Sequence, residues 1–274
     1  MGTVSKALIL LDYFNRQRPQ IGLSDFARLS GMNKATCHRL LTELQDFGFV
    51  EQVGAAREYR LGPQVLRLAA LREAAVPMRD AAMPVLRALA QATAETVHLS
   101  VIVGEKLQML AFAYSAAHAM AVMMEDADTL PYHATSSGLA VLGFAPPAFR
   151  DRVLAQPLPR LTEHTETDPA AIRARLEAVR ARGYADSAGG FEVDVSSLAV
   201  PLFDAAGQCC GALAVAAPAS RMTPALHQVI RREIIRGAVQ ITGLWGGQIP
   251  PELSAIWQGA PLGADQPDTE RATA

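Results

Sequence analysis

Side chains suited to nucleic-acid contacts are concentrated at the start of one predicted helix, within residues 30–50. Its first turns carry basic and hydrogen-bonding residues, namely Asn33, Lys34, Thr36, His38 and Arg39. The acidic residues Glu43 and Asp46 follow only near the end of the helix. A recognition helix places its N-terminal residues in the major groove of DNA, and acidic side chains there would be repelled by phosphate. This order predicts phosphate or base contacts from Lys34 and Arg39.

The residues around this helix predict the scaffold that would present it. Apolar residues recur at helical spacing and would bury its opposite face: Cys37, Leu40, Leu41, Leu44 and Phe47. A shorter helix precedes it in "LSDFARLSG", where Ser24 could accept a hydrogen bond from the free N–H groups at the helix start. Gly31 would end that helix in a left-handed conformation, and Asn33 could cap the next one. A short helix, a tight turn and a longer helix form the helix-turn-helix pattern.

A β-hairpin is predicted directly after the longer helix. The runs Phe49–Val53 and Glu58–Leu61 have strand composition and flank a glycine-containing turn. A hairpin in this position is the wing of a winged helix, and Arg57 at its tip could reach an adjacent minor groove or phosphate. Thr36 and His38 would then lie close to the floor of the major groove. The predicted DNA-binding residues are Ser24, Asn33, Lys34, Ala35, Thr36, His38, Arg39 and Arg57. The alternative is an ordinary solvated helix of accidental polarity, and the turn and the wing on either side argue against it.

The charge of the chain is uneven along its 274 residues. Residues 1–67 contain nine Lys or Arg and six Asp or Glu, a net charge of +3, whereas residues 68–274 contain sixteen and twenty-one, a net charge of −5. The total of −2 identifies no partner. A small basic module joined to a larger acidic one is compatible with nucleic-acid binding. The length is enough for two domains or one large one, and half of the residues are hydrophobic, which provides ample core material.

Cysteine usage and hydropathy exclude several classes of protein. Cys37, Cys209 and Cys210 form neither a C-x-x-C nor a His/Cys pattern, so no disulfide framework and no metal site are predicted. No apolar run is long enough to span a membrane, and Asp12 interrupts the N-terminal apolar stretch that a signal peptide would need. We therefore expect a reduced, cytoplasmic protein without a metal, a cofactor or a membrane partner.

After the hairpin, the sequence predicts a helix and then an α+β domain. "GPQVLRLAALREAA", residues 62–75, is apolar on nearly two faces and is expected to pack between units. From Pro77 a further helix leads into two strand hairpins, "TVHLSVIV" with "LQMLAFAY" and "SSLAVPLFD" with "CCGALAVAAP". Helices are predicted at 146–155, at 169–182 and at about 223–244. Hairpins interleaved with helices indicate an antiparallel sheet, and a disordered tail is expected from Gly246 onward.

Two groups of residues in this second domain could bind a small ligand. Ser136 and Ser137 lie where a loop enters a predicted helix. Free N–H groups and the positive end of the helix dipole meet at such a point, so a carboxylate would be favoured there. In "TVHLSVIV", strand alternation places His98 on the face opposite to Val97 and Leu99. That face could meet either a ligand or solvent.

An enzymatic function of the same region is the main alternative. His133, Ser136 and Ser137 could form a hydrolase site, but the sequence contains no G-x-S-x-G elbow. The two serines are expected to cap a helix instead, and His133 is expected to be a hydrogen-bonded structural histidine. We therefore expect no catalytic residues. The other alternative is a sensor or scaffold whose winged helix contacts protein.

Segments from both halves of the chain resemble one protein family. "ALILLDYF", "LSDFARLSGMNKATCHRLLTELQDFGFV" and "YRLGPQVLRLA" resemble the N-terminal half of IclR-type transcriptional regulators. "LPYHATSSGLAVL" and "LAVPLFDAAGQCCGALAVAAP" are similar to segments of the second half, so the resemblance covers about residues 3–245. It implies a winged helix-turn-helix domain in residues 1–61 and a linker helix in 62–76. It further implies a GAF-like effector-binding domain in 77–245, with the tail in 246–274.

The resemblance also implies partners and the positions of an effector cavity. The partners are double-stranded operator DNA, a small-molecule effector and further copies of the chain, as a homodimer or a dimer of dimers that regulates catabolic genes. The cavity residues are Ala119, Val122, Leu130, Val195, Ser197, Ala214 and Ala216. The last two stand where the family often has serines, and Ala35 replaces a frequent serine of the recognition helix, which removes one possible phosphate contact. Small and apolar walls predict an organic acid with an aliphatic or aromatic part, held at Ser136 and Ser137 with help from His98.

Overall fold

The computed structural model describes residues 2–14, 18–75, 77–118, 120–124 and 129–259. The chain divides into two compact units, one ending at Pro77 and the other beginning at Met78. Each unit has a hydrophobic core of its own. Within these described ranges, no helix is both long and apolar enough to cross a lipid bilayer.

Helices and a two-stranded hairpin make up the N-terminal unit. In chain order they are α1 (Thr3–Asp12), α2 (Leu23–Ser30), α3 (Lys34–Asp46), β1 (Val50–Val53), β2 (Glu58–Leu61) and α4 (Pro63–Ala75). The core includes Leu10, Phe26, Cys37, Leu41 and Tyr59. A bridge between Ile21 and Tyr59 joins the α1–α2 connection to the hairpin. The predicted helix-turn-helix and wing are confirmed, and the first wing strand begins at Val50 instead of Phe49.

Local caps define the turn between α2 and α3. Gly31 ends α2 with a φ of 69°, a left-handed conformation that favours glycine. Asn33 begins α3, because its side-chain oxygen accepts a hydrogen bond of 2.8 Å from the N–H of Thr36. Both caps are those predicted from the sequence. The predicted cap role of Ser24 is wrong, since Gly22 occupies the N-cap position of α2 and Ser24 already lies inside the first helical turn.

The C-terminal unit is an antiparallel sheet covered by helices on both faces. Its elements are α5 (Met78–Thr93), β3 (Thr96–Val103), β4 (Lys106–Ala113), β5 (Thr129–Leu130), α6 (Ser136–Phe144), α7 (Pro147–Leu154), α8 (Pro169–Arg182), β6 (Ala185–Ala188), β7 (Val195–Phe203), β8 (Cys209–Pro218), α9 (Pro224–Leu244) and α10 (Pro251–Gly259). The strand order is β5-β4-β3-β8-β7-β6. Helices α5 and α9 pack on one face of the sheet, and α6, backed by α8, packs on the other. This is the predicted α+β architecture.

Strand alternation in β3 directs one polar side chain toward α6. Val97 and Leu99 belong to the core beneath α5 and α9. His98, between them, points to the opposite face of the sheet and contacts α6. It pairs across the ladder with Ala214 of β8, whose small side chain leaves room for the imidazole. The predicted separation of His98 from its two apolar neighbours is therefore confirmed.

The prediction of a disordered tail from Gly246 is wrong for the first part of that segment. Residues Pro251–Gly259 form α10. The Leu253 side chain is buried, and Trp257 Nε1–H donates a hydrogen bond of 2.9 Å to the backbone carbonyl at the end of α8. The prediction was based on the composition of the whole segment, which is rich in Pro, Gly and Ala. It overlooked Leu253 and Trp257, which lie four positions apart on one face of α10 and pack against the rest of the unit. Residues 260–274 lie outside the described part of the chain.

Candidate functional site

The N-terminal turns of α3 present a polar surface to solvent. Its exposed residues are Asn33, Lys34, Ala35, His38 and Arg39, and Thr36 is half-buried. Cys37, Leu40 and Leu41 form the opposite face and are buried in the core. Phe47, which was predicted for that buried face, lies beyond the end of α3 and is 70% exposed. The cations of α3 therefore face solvent, as contacts with phosphate require.

The hairpin carries a further exposed cation at its turn. Arg57 adopts a positive φ of 53° and donates hydrogen bonds of 3.3 and 3.2 Å from its guanidinium to Gln52 Oε1. These bonds hold the guanidinium along the hairpin while leaving it exposed. Ser24, the remaining residue predicted to contact DNA, is exposed on α2.

A cavity in the C-terminal unit lies between the sheet, the start of α6 and two irregular segments. It is lined by His98, Val122, Met123, Met124, Leu130, Ala134, Thr135, Ser136, Ser187, Phe191, Glu192, Val195, Ser197 and Ala216. Centres of water-sized molecules can occupy about 50 Å³ of it, several times the roughly 10–15 Å³ that one buried water needs. The cavity shares Val122, Phe191 and Val195 with an adjoining groove of about 530 Å³ that is open to solvent.

The structure brings most of the predicted effector residues together in this cavity. They are His98, Val122, Leu130, Ser136, Val195, Ser197 and Ala216. Ser137 and Ala214 are fully buried and do not line it. Successive helical residues are rotated by about 100°, and here Ser136 faces the cavity while Ser137 faces His98. Ala119 lies outside the described residues. Thr135, which precedes the two serines at the predicted helix start, also lines the cavity. The prediction missed Ala134, Ser187, Phe191 and Glu192, which come from the loop before α6, from β6 and from the loop after β6.

A network of hydroxyl groups fixes the start of α6. Thr135, not the two serines that were predicted to cap the helix, is the N-cap, since its Oγ1 accepts a hydrogen bond of 3.0 Å from the N–H of Gly138. The Ser136 hydroxyl donates to Ser197 Oγ of β7 at 2.7 Å. The Ser137 hydroxyl lies 3.1 Å from His98 Nε2 of β3. The first turn of α6 is thereby bonded to two strands of the sheet.

The cavity contains polar groups but little charge. Burial lowers the pKa of His98 to about 4, so its imidazole is neutral at pH 7. Glu192, which is exposed, carries the only charged side chain among the described residues that line the cavity. The N-terminus of α6 contributes the positive end of a helix dipole. An anionic group of a ligand would therefore be stabilised at α6, away from Glu192.

Residues 120–124, here called the mouth segment, form part of the cavity wall and of the groove. Polar contacts to its backbone hold it in place. Arg221 Nη2 donates to the Met120 carbonyl at 3.0 Å, and Thr96 Oγ1 donates to the Val122 carbonyl at 3.0 Å. Arg221 is itself fixed by two hydrogen bonds of 2.7 Å to the Glu95 carboxylate. The position of the mouth segment thus depends on the Glu95–Arg221 pair.

The side chains proposed for a hydrolase, His133, Ser136 and Ser137, are not bonded to one another and each has another partner. His133 Nε2–H donates a hydrogen bond of 2.9 Å to the Pro159 carbonyl, as expected of a structural histidine.

Burial raises the pKa of Cys210 to about 11 and also raises that of Cys209, so both thiols are protonated at neutral pH. In the described parts of the chain, no group of three or more His, Cys, Asp or Glu side chains could hold a metal ion.

A helix-turn-helix whose recognition helix exposes basic side chains, in a chain whose second unit contains a cavity, is typical of a ligand-responsive DNA-binding transcriptional regulator. Residues 3–54 match the IclR helix-turn-helix domain, and residues 72–242 match the C-terminal domain of bacterial IclR transcriptional regulators. The chain belongs to the IclR family.

Three similar proteins illustrate the relationship. A crystal structure assigned to an IclR transcriptional regulator from Silicibacter sp. TM1040 is 57% identical, with a TM-score of 0.81, and the match covers 92% of this chain and 99% of that one. The glycerol operon regulatory protein of Streptomyces griseus is 30% identical over 81% of this chain and 87% of that protein. An IclR homologue from Microbacterium hydrocarbonoxydans, complexed with 4-hydroxybenzoate, is 28% identical over 88% and 100% of the two chains, with a TM-score of 0.53.

Proposed function

We propose that this regulator controls catabolic genes and that a small organic acid, bound in the cavity, changes its affinity for operator DNA. The observation that carries the proposal is the place of the cavity at the N-terminus of α6, where hydroxyl groups, an imidazole and backbone N–H groups meet apolar walls. One relative is complexed with 4-hydroxybenzoate and another is named for a glycerol operon. These two relatives point to different kinds of compound, so we infer the class of ligand from the residues that line the cavity. The proposal includes a cytoplasmic location, because a regulator must reach the chromosome.

On the DNA side, we propose that Lys34 and Arg39 contact phosphates or base edges, with Arg57 contacting the backbone beside them. Their exposure supports this role. Arg39→Ala should weaken binding to the DNA upstream of the regulator's own gene by about 10-fold or more. Each lost phosphate contact should also reduce the slope of log affinity against log salt concentration by about one. Anisotropy titrations at several salt concentrations measure both quantities.

The matched control is Gln45→Ala, which truncates an exposed side chain at the other end of α3. It should leave the affinity and the slope unchanged. If Arg39→Ala behaves like this control, Arg39 is not part of the interface.

Two copies of the chain are expected on the DNA, because one winged helix reads too few base pairs for selective binding. Exposed apolar side chains of α4 support a dimer. None of the described side chains of α4 is buried, and its residues Leu66, Leu68 and Leu71 have exposed fractions of 75%, 41% and 55%. Apolar side chains in such a row favour a protein partner over water.

Leu68→Glu is therefore expected to shift the protein from dimer toward monomer, since it places a charge in an apolar contact. Sedimentation velocity at micromolar concentration measures the shift. Gln64→Glu adds the same charge to α4 without removing an apolar side chain and should sediment like the wild type. A wild-type protein that sediments as a 29.2 kDa monomer, with and without DNA, contradicts the dimer.

On the ligand side, we propose that the carboxylate of the acid lies at the start of α6. Thr135 Oγ1 satisfies the N–H of Gly138, so the preceding N–H groups of Ser136 and Ser137 remain for an anion. Val122, Leu130 and Val195 would surround an aliphatic or aromatic part.

Ser136→Asp should abolish the response of operator binding to the acid and preserve ligand-free binding, because it places a negative charge against the carboxylate. Ser136→Ala, which removes the hydroxyl without adding charge, should respond with reduced affinity only. Calorimetry should also show an acid binding about 10-fold or more tightly than its neutral amide, as expected for charge-assisted hydrogen bonds. Equal affinities for acid and amide would refute the carboxylate site.

A further inference from the structure

We propose that His98 carries its proton on Nδ1 and uses it to select a ligand headgroup that only accepts hydrogen bonds, so that the cavity binds a carboxylate and rejects a hydroxyl or amine in the same place. This inference rests on the proposed effector cavity and adds the residue that sets its specificity. The supporting observation is that the buried His98 side chain, next to the N-terminus of α6, has one nitrogen, Nδ1, without a hydrogen-bond partner among the described residues.

The position of His98 gives the first part of the argument. The residue is 5% exposed, lines the cavity and bonds to Ser137 through Nε2. Its Nδ1 is buried and has no hydrogen-bond partner among the described residues. The imidazole is neutral at pH 7, because burial disfavours the charged form, so only one of the two nitrogens carries a proton.

The Ser137 hydroxyl decides which nitrogen that is. This hydroxyl is fully buried, and His98 Nε2 is its partner at 3.1 Å. If Nε2 carried the proton, the Ser137 proton would have no acceptor among the described residues, and Nδ1 would be an unfilled acceptor. If Ser137 donates to Nε2 instead, only the Nδ1–H group remains unpaired. Buried donors and acceptors are costly to leave unpaired, so the second arrangement is favoured.

Two further groups at the start of α6 are donors as well, whereas the Thr135 and Ser187 hydroxyls already donate to the Pro131 and Ala134 carbonyls at 2.8 and 3.1 Å. Ser136 donates to Ser197 Oγ, which leaves the proton of the Ser197 hydroxyl for a further acceptor. The N–H groups of the first turn of α6 also point out of the helix start. The charged acceptor of the cavity, Glu192, belongs to the groove at the mouth. A carboxylate accepts from several donors at once, whereas a hydroxyl or amine offers fewer lone pairs and brings a hydrogen that needs an acceptor of its own.

Two isosteric substitutions separate the two nitrogens of His98. In His98→Asn, the nitrogen of the shorter amide can occupy the place of Nδ1. In His98→Gln, the oxygen of the longer amide can occupy the place of Nε2 and accept the hydrogen bond from Ser137. The first variant should therefore keep the donor in the cavity, and the second should keep the contact with Ser137 only. The probes are propionate, isobutyrate and benzoate, each compared with its amide by calorimetry on the full chain, with melting curves to confirm folding.

For the acid that binds the wild type most tightly, His98→Gln should weaken binding about 10-fold or more and His98→Asn less than about threefold. Equal losses in the two variants would assign His98 a structural role and overturn the inference. If none of the acids binds the wild type, the proposed function fails instead.

The proton can also be located without any ligand. In wild-type protein labelled with ¹⁵N in the imidazoles, long-range ¹H–¹⁵N spectra distinguish the two neutral forms of each histidine. We expect His98 to be protonated at Nδ1. A proton on Nε2 overturns the inference whatever the calorimetry shows.

Discussion

Replacing Gly138 by alanine is expected to destabilise the C-terminal unit by about 3 kcal/mol or more, although alanine normally stabilises a helix. Gly138 lies in the first turn of α6, where a Cβ atom would stand 2.3 Å from both Cα and the carbonyl oxygen of Tyr132. Backbone atoms cannot move aside as a flexible side chain can, so α6 must shift away from the loop before it. For a unit of this size the melting temperature should fall by roughly 6–12 °C.

Gly243→Ala is the matched control, because Gly243 is also helical but has nothing within 4 Å of the place that the added Cβ atom would take. That substitution should be neutral or stabilise by up to about 1 kcal/mol. Calorimetric melting of the two variants beside the wild type measures the contrast. Similar melting temperatures for Gly138→Ala and the wild type would show that α6 adapts to the added methyl group.

Removing Arg221 should cost a similar amount, because it leaves a buried carboxylate without its partner. Glu95 is 2% exposed and accepts two hydrogen bonds of 2.7 Å from the Arg221 guanidinium. Breaking a buried ion pair from one side typically costs about 3–5 kcal/mol, and the partial exposure of Arg221 places our expectation for Arg221→Ala at about 3 kcal/mol. The variant also loses the bond to the Met120 carbonyl, so ligand affinity should fall with stability.

Two further variants distinguish the effect of the unpaired Glu95 carboxylate from a general loss of packing. Arg152→Ala removes an exposed arginine that pairs with Glu105 at 3.1 Å and should cost less than about 1 kcal/mol. Adding Glu95→Gln to Arg221→Ala removes the buried charge and should restore more than half of the lost stability. If the double variant is no more stable than Arg221→Ala, the unpaired carboxylate is not the reason for the loss.

Elements with strong local signals were predictable from the sequence, and elements that depend on distant partners were not. Apolar periodicity and the caps at Gly31 and Asn33 depend on residues within one turn, so the helix-turn-helix could be predicted. The short strands β5 and β6 could not, because, unlike the equally short wing strands, they are not joined by a tight turn to the strands with which they pair.

The candidate site was predictable in its parts and not in its contacts. Strand alternation oriented His98, and the loop-to-helix transition located Ser136 and Ser137. The bond between His98 and Ser137 joins residues 39 positions apart, so no spacing rule predicts it. Phe191 and Glu192 follow an edge strand in irregular backbone, and nothing in their local sequence indicates that they would reach the cavity.

The two ends of the cavity are built from different kinds of backbone, and this bears on how such a protein could be adapted as a biosensor. Its inner end consists of a helix terminus and paired strands, whereas its outer wall consists of the mouth segment and the loop around Phe191. The residues of the outer wall can therefore be varied in a library without disturbing the sheet or the first turn of α6. Such a library should yield sensors for acids with different tails that retain one mode of recognition for the acid group.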